Sequence, residues 1–208
     1  MSDPTINLPA RLEAARLEAG VDEVGRGCLA GPVVAAAVIL PPDFALPGLT
    51  DSKQLSKGER ETMDRLIRER AMAWAVGEAS VDEIDRHNIL RATFLAMGRA
   101  IDGLRVRPEY LLIDGNRYPS DAGDIPFETI VRGDGRVASI AAASVIAKVY
   151  RDRLMAALAE TFPGYGWETN AGYGTARHLA AIAALGLTPH HRRSFGPCAP
   201  NLFTLAEA

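Results

Sequence analysis

The chain has 208 residues, 48% hydrophobic and 24% charged, a composition that is ordinary for a globular protein and excludes a largely disordered chain. Its two cysteines, Cys28 and Cys198, are too few for a disulfide scaffold and lack metal-site spacing. The net charge of −3 gives no overall sign of nucleic-acid binding, but residues 131–208 carry 8 basic against 5 acidic residues, which favours a polyanion-facing C-terminal part.

The N-terminal residues carry no recognisable targeting signal. Residues 1–15 are polar and contain proline, so they predict a loose arm, and no long apolar core of a secretory signal is present. The apolar run VVAAAVIL is far too short to span a membrane. We therefore expect a cytoplasmic protein with no membrane association.

The first predicted elements are two short strands and a helix. The strands lie between residues 19 and 40 and are joined through a GRG turn at 25–27. The second strand, VVAAAVIL, is apolar at successive positions, which is typical of a strand covered on both faces. Ser56 with Glu59 three residues later marks a helix start, and this helix should run to about Arg70.

The middle of the chain alternates strands with helices. AMAWAVGEAS predicts a strand, after which Ser80 caps a long helix with apolar side chains on one face, over residues 81–104. YLLID predicts a strand ending at residue 114, and FETIVRGDG predicts another that finishes at residue 134. One long Ala-rich helix then covers residues 137–162.

Beyond Pro163 the sequence becomes rich in glycine and aromatic residues. It contains a further helix near Thr175–Leu185 and then a basic stretch at 190–193. Strands clustered early in the chain and followed by helices predict a mixed α/β sheet with helices on its faces. The last forty or so residues are predicted to form a helical appendage.

Three segments share a pattern in which an apolar stretch runs to an acid and a glycine follows. They are VDEVG, LLIDG and VRGDG, and their acids are Asp22, Glu23, Asp114 and Asp134. Any one of these acids is most simply a turn residue, but three such ends in one small sheet favour a shared site. Clustered carboxylates repel one another unless a cation neutralises them. Without a His or Cys ligand set, the expected ion is Mg²⁺ or Mn²⁺, which suits phosphoryl transfer.

The adjacent acids pose a geometric problem. Consecutive residues of a strand point to opposite faces, so Asp22 and Glu23 reach one metal centre only under special conditions. Either the strand bends there, or one residue acts through its carbonyl group or a water molecule. Gly25 makes a bend plausible, because glycine adopts conformations closed to other residues.

Seven motifs follow one another along the chain: VDEVGRGCLAGPVVAAAVIL, DSKQLS, IDRHNILRATFLAM, LLIDGN, GDGRVASIAAASVIAKVYRD, GYGT and HHRRSF. Over residues 19–195 this ordered set resembles ribonuclease HII, a family of the ribonuclease H-like superfamily. The resemblance implies an α/β fold with a mixed five-stranded sheet flanked by helices. Residues 16–162 would form the ribonuclease H-like catalytic domain, and residues 163–208 a small C-terminal helical appendage packed on it.

The resemblance also implies an activity and its substrates. The expected enzyme is a metal-dependent endoribonuclease that hydrolyses the RNA strand of RNA–DNA hybrids. It would also incise 5′ of single ribonucleotides embedded in duplex DNA, as in ribonucleotide excision repair, and leave 3′-hydroxyl and 5′-phosphate ends. The family further suggests a monomer, and some relatives associate with the replication sliding clamp through a C-terminal peptide. The tail NLFTLAEA shows only a faint pattern of that kind, so a clamp partner has no clear motif here.

Site residues are assigned by position from the resemblance. The catalytic and metal-binding acids, with Mg²⁺ or Mn²⁺ as cofactor, are Asp22, Glu23, Asp114 and Asp134. The residues whose backbone groups read the ribose 2′-hydroxyl are Gly25, Arg26 and Gly27. Tyr173 is assigned to stack beside the ribonucleotide, and Lys53 and Asn88 to contact the nucleic-acid backbone. The 2′-hydroxyl is what distinguishes RNA from DNA at one position, and close backbone approach to a sugar favours glycine.

Plainer interpretations stand beside these assignments. The GRG stretch is also compatible with a simple tight turn, and Tyr173 with a packed aromatic residue in a Gly-rich loop. On the long helix, Arg151 and Arg153 are interpreted as a solvated face. The basic stretch at 190–193 is compatible with phosphate contacts or with solvation of the appendage, and support of the fold near the site is the preferred interpretation.

Two positions depart from the family pattern. Ala171 stands where the family often has a lysine before GYGT, which weakens a phosphate contact. Arg136 stands where the family often has a lysine, which keeps the charge but changes its geometry. Neither position is an acid, so activity is still expected.

Three rival functions are weighed. Ribonuclease HIII carries an additional N-terminal substrate-binding domain, and the roughly twenty residues before Asp22 are too few for one. A metal-dependent phosphatase acting on small phosphate esters has no need of Arg26 in a glycine turn or of Tyr173. In a non-catalytic binding module the acids would be structural, and no Mg²⁺-dependent strand cleavage would occur.

Overall fold

The computed structural model describes residues 8–199. The strands are β1 (Glu18–Val24), β2 (Val33–Ile39), β3 (Ala73–Ala79), β4 (Tyr110–Asp114) and β5 (Phe127–Ile130). The helices are α1 (Lys57–Arg70), α2 (Val81–Asp102), α3 (Ala138–Thr161), α4 (Trp167–Asn170) and α5 (Ala176–Leu185). Short 3₁₀ turns cover Ser52–Gln54, Gly133–Gly135 and Gly196–Cys198.

The five strands form one mixed sheet in the order β3-β2-β1-β4-β5. The β1–β2 and β2–β3 pairs are antiparallel, whereas β1–β4 and β4–β5 are parallel. This confirms the expected mixed five-stranded sheet flanked by helices. Because β1 and β4 run in the same direction, their carboxyl ends meet at one edge of the sheet, and this edge carries the acids of both strands.

Strand β2 lies at the centre of two hydrophobic layers. Its side chains alternate between the layer under α1 and α3 and the layer under α2, and all seven residues are buried. The first layer receives Val34, Ala36 and Val38. The second receives Val33, Ala35, Ala37 and Ile39. The prediction that this strand is covered on both faces is therefore confirmed.

The two predicted helix starts are confirmed by their caps. Ser56 accepts a hydrogen bond from the Glu59 amide, and the Glu59 carboxylate accepts one from the Ser56 amide. Ser80 and Glu83 repeat this reciprocal arrangement at the start of α2. Each pair satisfies two of the amide donors that a helix start leaves free.

The prediction that the fifth strand continues to Asp134 is wrong. Strand β5 ends at Ile130, and Arg132 adopts a left-handed conformation with φ of 56°. The chain then turns through Gly133–Gly135 directly into α3. A left-handed residue cannot continue a strand, so Asp134 lies on a 3₁₀ turn instead.

The described N-terminal residues and the segment after α3 both pack against the sheet-and-helix core. Ala10 is buried, and the Pro9 carbonyl accepts a hydrogen bond from the Ala138 amide, within the stretch predicted to be a loose arm. On the other side, α4 packs against α3. The division into arm, catalytic domain and appendage stays a prediction. Within residues 8–199, no helix is long and apolar enough to cross a membrane.

Candidate active site

The side chains of Asp22 and Glu23 leave β1 on opposite faces of the sheet. Asp22 pairs with Ala36, whose side chain lies in the α3 layer, and Glu23 pairs with Ala35, whose side chain lies in the α2 layer. The Glu23 amide donates to Asp22 Oδ1 at 2.7 Å. The expected alternation is therefore present, and the two carboxylates flank the end of β1 from its two sides.

The other two acids meet across the ends of β4 and the 3₁₀ turn. Asp114 is the last residue of β4, and its Oδ1 accepts a hydrogen bond from the Gly133 amide at 2.7 Å. That bond ties the β4 end to the turn that carries Asp134, which is itself buried. The fold thus brings together all four acids named from the sequence.

Burial and mutual repulsion raise the pKa of each of these carboxyl groups. For Asp22, burial is the largest cause and the charges of Glu23 and Asp114 add to it, which places its pKa well above the ordinary value. Burial also raises the pKa values of Glu23 and Asp114. The pKa of Asp134 rises to about 6, through burial and then the charges of Asp114 and Asp51. Negative charge is therefore concentrated at this edge of the sheet.

These residues fit a hard divalent cation. Carboxylate oxygens are the donors that Mg²⁺ and Mn²⁺ prefer, and a cation among them would relieve the repulsion that raises their pKa values. In the described part of the chain, no three acidic, histidine or cysteine side chains converge closely enough to enclose an ion. The four acids therefore lie at one edge of the sheet without forming a closed set of metal ligands.

The loop before α1 adds residues that the sequence did not single out. Asp51 caps the 3₁₀ turn by accepting from the Lys53 amide at 2.9 Å, and its charge helps to raise the pKa of Asp134. Ser52 Oγ lies 3.0 Å from Ser144 Oγ of α3, and Ser144 hydrogen-bonds Asp22. Nothing in the local sequence marks these contacts, because Ser52 and Ser144 are 92 residues apart.

Lys53, which the sequence assigned to the nucleic-acid backbone, lies near the acids. Burial alone would lower its pKa, but the carboxylates of Asp51, Asp22, Asp134 and Asp114 outweigh burial and raise it. The ammonium group is therefore charged beside the acid cluster. Its expected contact with a phosphate stays a prediction.

A cavity of about 320 Å³ opens beside the acids on the α2 side of the sheet. Glu23, Arg26 and Asp114 line one part of it, and apolar side chains of α2, Phe94 among them, line another. Arg26 Nη1 lies 3.1 Å from Glu23 Oε1, so the basic residue of the GRG turn is ion-paired with one of the acids. The cavity therefore joins the acid cluster to that turn.

The GRG turn and Tyr173 are neighbours. Gly25 has φ of +95°, a conformation that favours glycine, while Arg26 and Gly27 are exposed. Tyr173 pairs through its backbone with Cys28, and an added Cβ on Gly27 would lie 3.9 Å from Tyr173 Cε1. The Tyr173 ring is 41% exposed, so it is available beside the turn.

Asn88 makes no hydrogen bond to the four acids, the GRG turn or Tyr173 among the described residues. It interrupts α2 with φ of +67°, and its Oδ1 accepts from the amides of Leu90 and Arg91. Its residue is exposed, so its amide nitrogen remains at the surface. A contact with nucleic acid is still a prediction for this residue.

The interpretation of Arg151 as part of a solvated face is wrong. Arg151 is fully buried and donates to the carbonyl oxygens of Pro32, Ala30 and Ala171. Tertiary contacts decide this, since the β1–β2 connection and the segment between α4 and α5 both meet α3 at this residue. Arg153, by contrast, has a side chain 62% exposed, as expected.

The basic stretch at 190–193 supports the fold near the site, as preferred from the sequence. Arg192 is fully buried and donates to the carbonyl oxygens of Gly25, Arg26 and Gly31. His191 is buried as well. Of the two departures from the family pattern, Ala171 has φ of +48° and supplies a carbonyl oxygen to Arg151, and Arg136 is exposed.

Comparisons with known proteins agree with this geometry. The sequence profile of the family Ribonuclease HII matches residues 19–198. A protein of Dechloromonas aromatica named Ribonuclease HII is 54% identical over 198 residues, covering 95% of this chain and 100% of the relative.

Two solved structures resemble the fold. The RNase HII of Archaeoglobus fulgidus, solved in a PCNA:RNase HII complex, matches with a TM-score of 0.72 at 26% identity, covering 90% of this chain and 99% of that one. Bst-RNase HIII, solved with Mn²⁺, matches with a TM-score of 0.67 at 22% identity, covering 95% of this chain and 74% of that one, and supports the fold alone. Members of the ribonuclease HII family are hydrolases of the ribonuclease H type 2 class, which cleave RNA in RNA–DNA hybrids and at single ribonucleotides. The profile match, the 54% identical relative and the acid-lined sheet edge together show that this chain belongs to the ribonuclease HII family.

Proposed function

We propose that this chain carries out its family's reaction at the sheet edge formed by Asp22, Glu23, Asp114 and Asp134. The substrates are RNA–DNA hybrids and duplex DNA with a single embedded ribonucleotide, incised 5′ of the ribonucleotide to leave 3′-hydroxyl and 5′-phosphate ends. The observation that carries the proposal is the convergence of four carboxylates beside a glycine turn and an exposed tyrosine.

The four acids would hold Mg²⁺ or Mn²⁺. When bound, such an ion supplies an activated water and stabilises charge on the leaving oxygen. The raised pKa values of the acids support this role, because a bound cation would relieve the repulsion that contributes to them.

Substrate recognition would divide between the turn and its surroundings. The backbone of Gly25, Arg26 and Gly27 would contact the ribose 2′-hydroxyl, since the two outer residues leave room for a sugar. Tyr173 would stack beside the ribonucleotide, because its ring is exposed next to Gly27. Lys53 would attract a phosphate near the acids, and Asn88 would contact the backbone farther along the duplex.

The test is a cleavage assay on a duplex with a single ribonucleotide, with and without Mg²⁺ or Mn²⁺. Asp114→Asn keeps the acceptor for the Gly133 amide but removes one anionic ligand. We expect substrate affinity within a few-fold of wild type and a cleavage rate at least about 10³-fold lower. The matched control is Asp121→Asn, an exposed acid in the loop between β4 and β5 that has no assigned role.

The outcomes separate the rival functions. Asp114→Asn cutting at the wild-type rate would remove this acid from the mechanism. A phosphatase would release phosphate from small esters and leave the ribose-containing duplex intact. A binding module would retain the duplex without any metal-dependent cleavage.

We further propose a monomeric, cytoplasmic enzyme that acts in ribonucleotide excision repair. The relative from Archaeoglobus fulgidus was solved with PCNA, which supports testing a sliding clamp as partner. The C-terminal tail NLFTLAEA, the segment considered for such a contact, lies outside the described residues. Size-exclusion chromatography with and without a clamp protein tests the monomeric state and the clamp contact.

A further inference from the structure

Two fully buried arginines, Arg151 and Arg192, lie behind the GRG turn. Within residues 8–199, every hydrogen bond that their guanidinium groups donate goes to a backbone carbonyl oxygen. Burying a charge without a carboxylate partner is costly, so such a residue is retained only where its hydrogen bonds do something that a neutral residue cannot. The question is what these two groups hold in place.

Arg192 holds the turn itself. Its Nη2 donates to the Gly25 carbonyl oxygen at 2.7 Å, and its Nη1 donates to the Arg26 carbonyl oxygen at 2.9 Å. Its Nε and Nη2 both donate to the Gly31 carbonyl oxygen, at 2.9 and 2.8 Å. One planar guanidinium therefore fixes two consecutive carbonyl groups of the turn relative to a third, six residues beyond Gly25.

The main chain around Arg192 holds the same segment from behind. The Arg192 amide donates to the Leu29 carbonyl oxygen at 2.8 Å, and the Gly31 amide donates to the His190 carbonyl oxygen at 2.9 Å. On the other side, the Leu29 amide donates to the Gly172 carbonyl oxygen at 2.8 Å. The segment after the turn is thus hydrogen-bonded on one side to residues 190–192 and on the other to Gly172. Among these contacts, only the Arg192 guanidinium reaches the turn itself.

Fixing the carbonyl groups leaves the turn's amides free. Among the described residues, the backbone amides of Arg26 and Gly27 donate to no protein acceptor, and both residues are exposed. Since each peptide plane is rigid, holding the Gly25 and Arg26 carbonyl groups toward Arg192 also fixes the direction of the amides that follow them. Those amides are the donors that a sugar hydroxyl beside Gly27 would meet.

We propose that Arg192 is a positioning residue that sets the selectivity of this enzyme for a ribonucleotide. It acts through the GRG turn, whose peptide planes it orients, and it does not touch the substrate. The inference rests on the proposed function, because it assumes that the turn reads the 2′-hydroxyl. Sequence position gives no hint of it, since Arg192 and Gly25 are 167 residues apart.

Arginine is required at this position because of its geometry. The guanidinium presents five donors in a rigid plane, and this structure uses three of its nitrogens on three carbonyl groups at once. A lysine would keep the charge, but its single ammonium cannot reach the three acceptors in the same plane. In Arg192→Lys the turn should therefore remain present but lose its defined orientation.

Arg151 provides a matched control. It is equally buried, and it also binds three carbonyl oxygens, those of Ala30, Pro32 and Ala171. Arg151 packs against Gly25 but donates to none of the turn's carbonyl groups, so Arg151→Lys should weaken the fold and this packing without releasing those carbonyl groups. Comparing the two variants separates loss of orientation from loss of stability.

The experiment measures wild type, Arg192→Lys and Arg151→Lys. Cleavage kinetics are recorded on a single-ribonucleotide duplex with Mg²⁺, and the identical all-DNA duplex is used as a competitive inhibitor. For Arg192→Lys we expect kcat/KM to fall by at least about tenfold while the inhibition constant of the all-DNA duplex stays within about twofold. For Arg151→Lys we expect both quantities to stay within about threefold of wild type, with a comparable fall in Tm.

A second readout does not depend on activity. The amide resonances of Arg26 and Gly27 in an NMR spectrum should move more in Arg192→Lys, which loses the hydrogen bonds to the turn's carbonyl groups, than in Arg151→Lys, which alters only packing against Gly25. Arg192→Gln, which loses the charge but keeps an NH₂ donor, is measured in parallel so that the comparison does not depend on one variant folding.

The outcomes are distinguishable. Unchanged ribonucleotide preference in both Arg192 variants, or equal losses of preference in Arg192→Lys and Arg151→Lys, would overturn the positioning role. Wild type that leaves the single-ribonucleotide duplex uncut would refute the proposed function instead. In that case the amide resonances still decide whether Arg192 orients the turn.

Discussion

At the scale of single residues, the two glycines of the GRG turn face different constraints. Gly25 has φ of +95°, and a Cβ added to it would collide with the buried Arg151 guanidinium. Gly27 has an ordinary φ, and an added Cβ would meet only Tyr173 Cε1 at 3.9 Å, an ordinary contact distance. The fold therefore requires glycine at position 25, whereas at position 27 only the approach of a substrate does.

This contrast predicts different effects of the same substitution. Gly25→Ala should lower the free energy of unfolding by about 1–3 kcal/mol, because it adds strain and a collision. Gly27→Ala should keep a free energy of unfolding within about 0.5 kcal/mol of wild type. It should nevertheless lose most cleavage of a single-ribonucleotide duplex, because its methyl group occupies the space through which the sugar approaches. Urea unfolding and the cleavage assay measure the two quantities.

Gly58→Ala serves as the control for both variants. An added Cβ at Gly58 has no neighbour within 4 Å, and this residue lies in the first turn of α1. The variant should keep wild-type stability or gain slightly, and keep wild-type cleavage. Full activity in Gly27→Ala would contradict the assignment of the turn as the ribose contact.

At the scale of elements, α2 is two helical segments joined at Asn88. This residue has φ of +67° and ψ of 164°, and its Oδ1 accepts from the amides of Leu90 at 3.0 Å and Arg91 at 3.2 Å. Asn88 therefore caps the second segment from inside the helix. Its φ and ψ fall in a region that is populated almost only by glycine, so the backbone is strained here, and the side chain contributes the capping oxygen.

Two substitutions at Asn88 separate its structural role from its proposed contact with nucleic acid. Asn88→Ala removes the cap and keeps the strain, so the free energy of unfolding should fall by about 1–2 kcal/mol. Asn88→Asp keeps the capping oxygen, so its stability should stay near wild type. Its added negative charge should nevertheless raise KM for the duplex substrate by repelling the phosphates. An unchanged KM in Asn88→Asp would remove Asn88 from the substrate contacts.

At the scale of the whole molecule, a buried network of two histidines and a tryptophan joins the C-terminal segments that hold Tyr173. The Thr188 amide donates to His191 Nδ1, so the proton of His191 lies on Nε2, which faces His178 Nε2 at 3.1 Å. Trp167 Nε1 also donates to His178 Nε2, at 3.0 Å. His178 therefore carries its proton on Nδ1 and donates it to the Tyr173 carbonyl oxygen at 2.9 Å.

This arrangement requires both imidazoles to be neutral and predicts a pH-dependent stability. Burial lowers the pKa of His178, and burial together with the charge on His178 lowers the pKa of His191 to about 4. The unfolded chain binds protons from about pH 6.5 downward, while folded His191 stays neutral until about pH 4. The contribution of neutral, buried His191 to the free energy of unfolding is thus fully present above pH 6.5 and is lost as pH falls to 4.

The measurement is urea unfolding of wild type and His191→Gln between pH 7 and pH 4.5. We expect the advantage of wild type over the variant to shrink by roughly 2 kcal/mol across this range. Because Asp134, with its pKa raised to about 6, titrates in the same window with the opposite effect, the difference between the two proteins is the relevant quantity. A difference that does not change with pH would show that His191 does not titrate as described.

The sequence by itself determined much of this protein. The acids at the ends of apolar segments, the reciprocal caps of Ser56 and Ser80, and the uninterrupted apolar run of β2 are local patterns. Local patterns can be interpreted because they depend on backbone period, turn chemistry and the capping needs of helix ends. The site assignments of Asp22, Glu23, Asp114, Asp134, the GRG turn, Lys53 and Tyr173 all came from motifs, and the fold places these residues together at one edge of the sheet.

Only the tertiary structure decided the rest. Arg151 was misinterpreted as solvated, Arg192 was assigned only a general support of the fold near the site, and Asp51 had no assigned role. The reason is that their partners are carbonyl and carboxyl groups far away in the chain. The end of β5 was misplaced because the left-handed conformation of Arg132 has no local signature. Burial and long-range hydrogen bonds depend on which segments pack together, so no local pattern contains them, and the orientation of the GRG turn is a property of the whole fold.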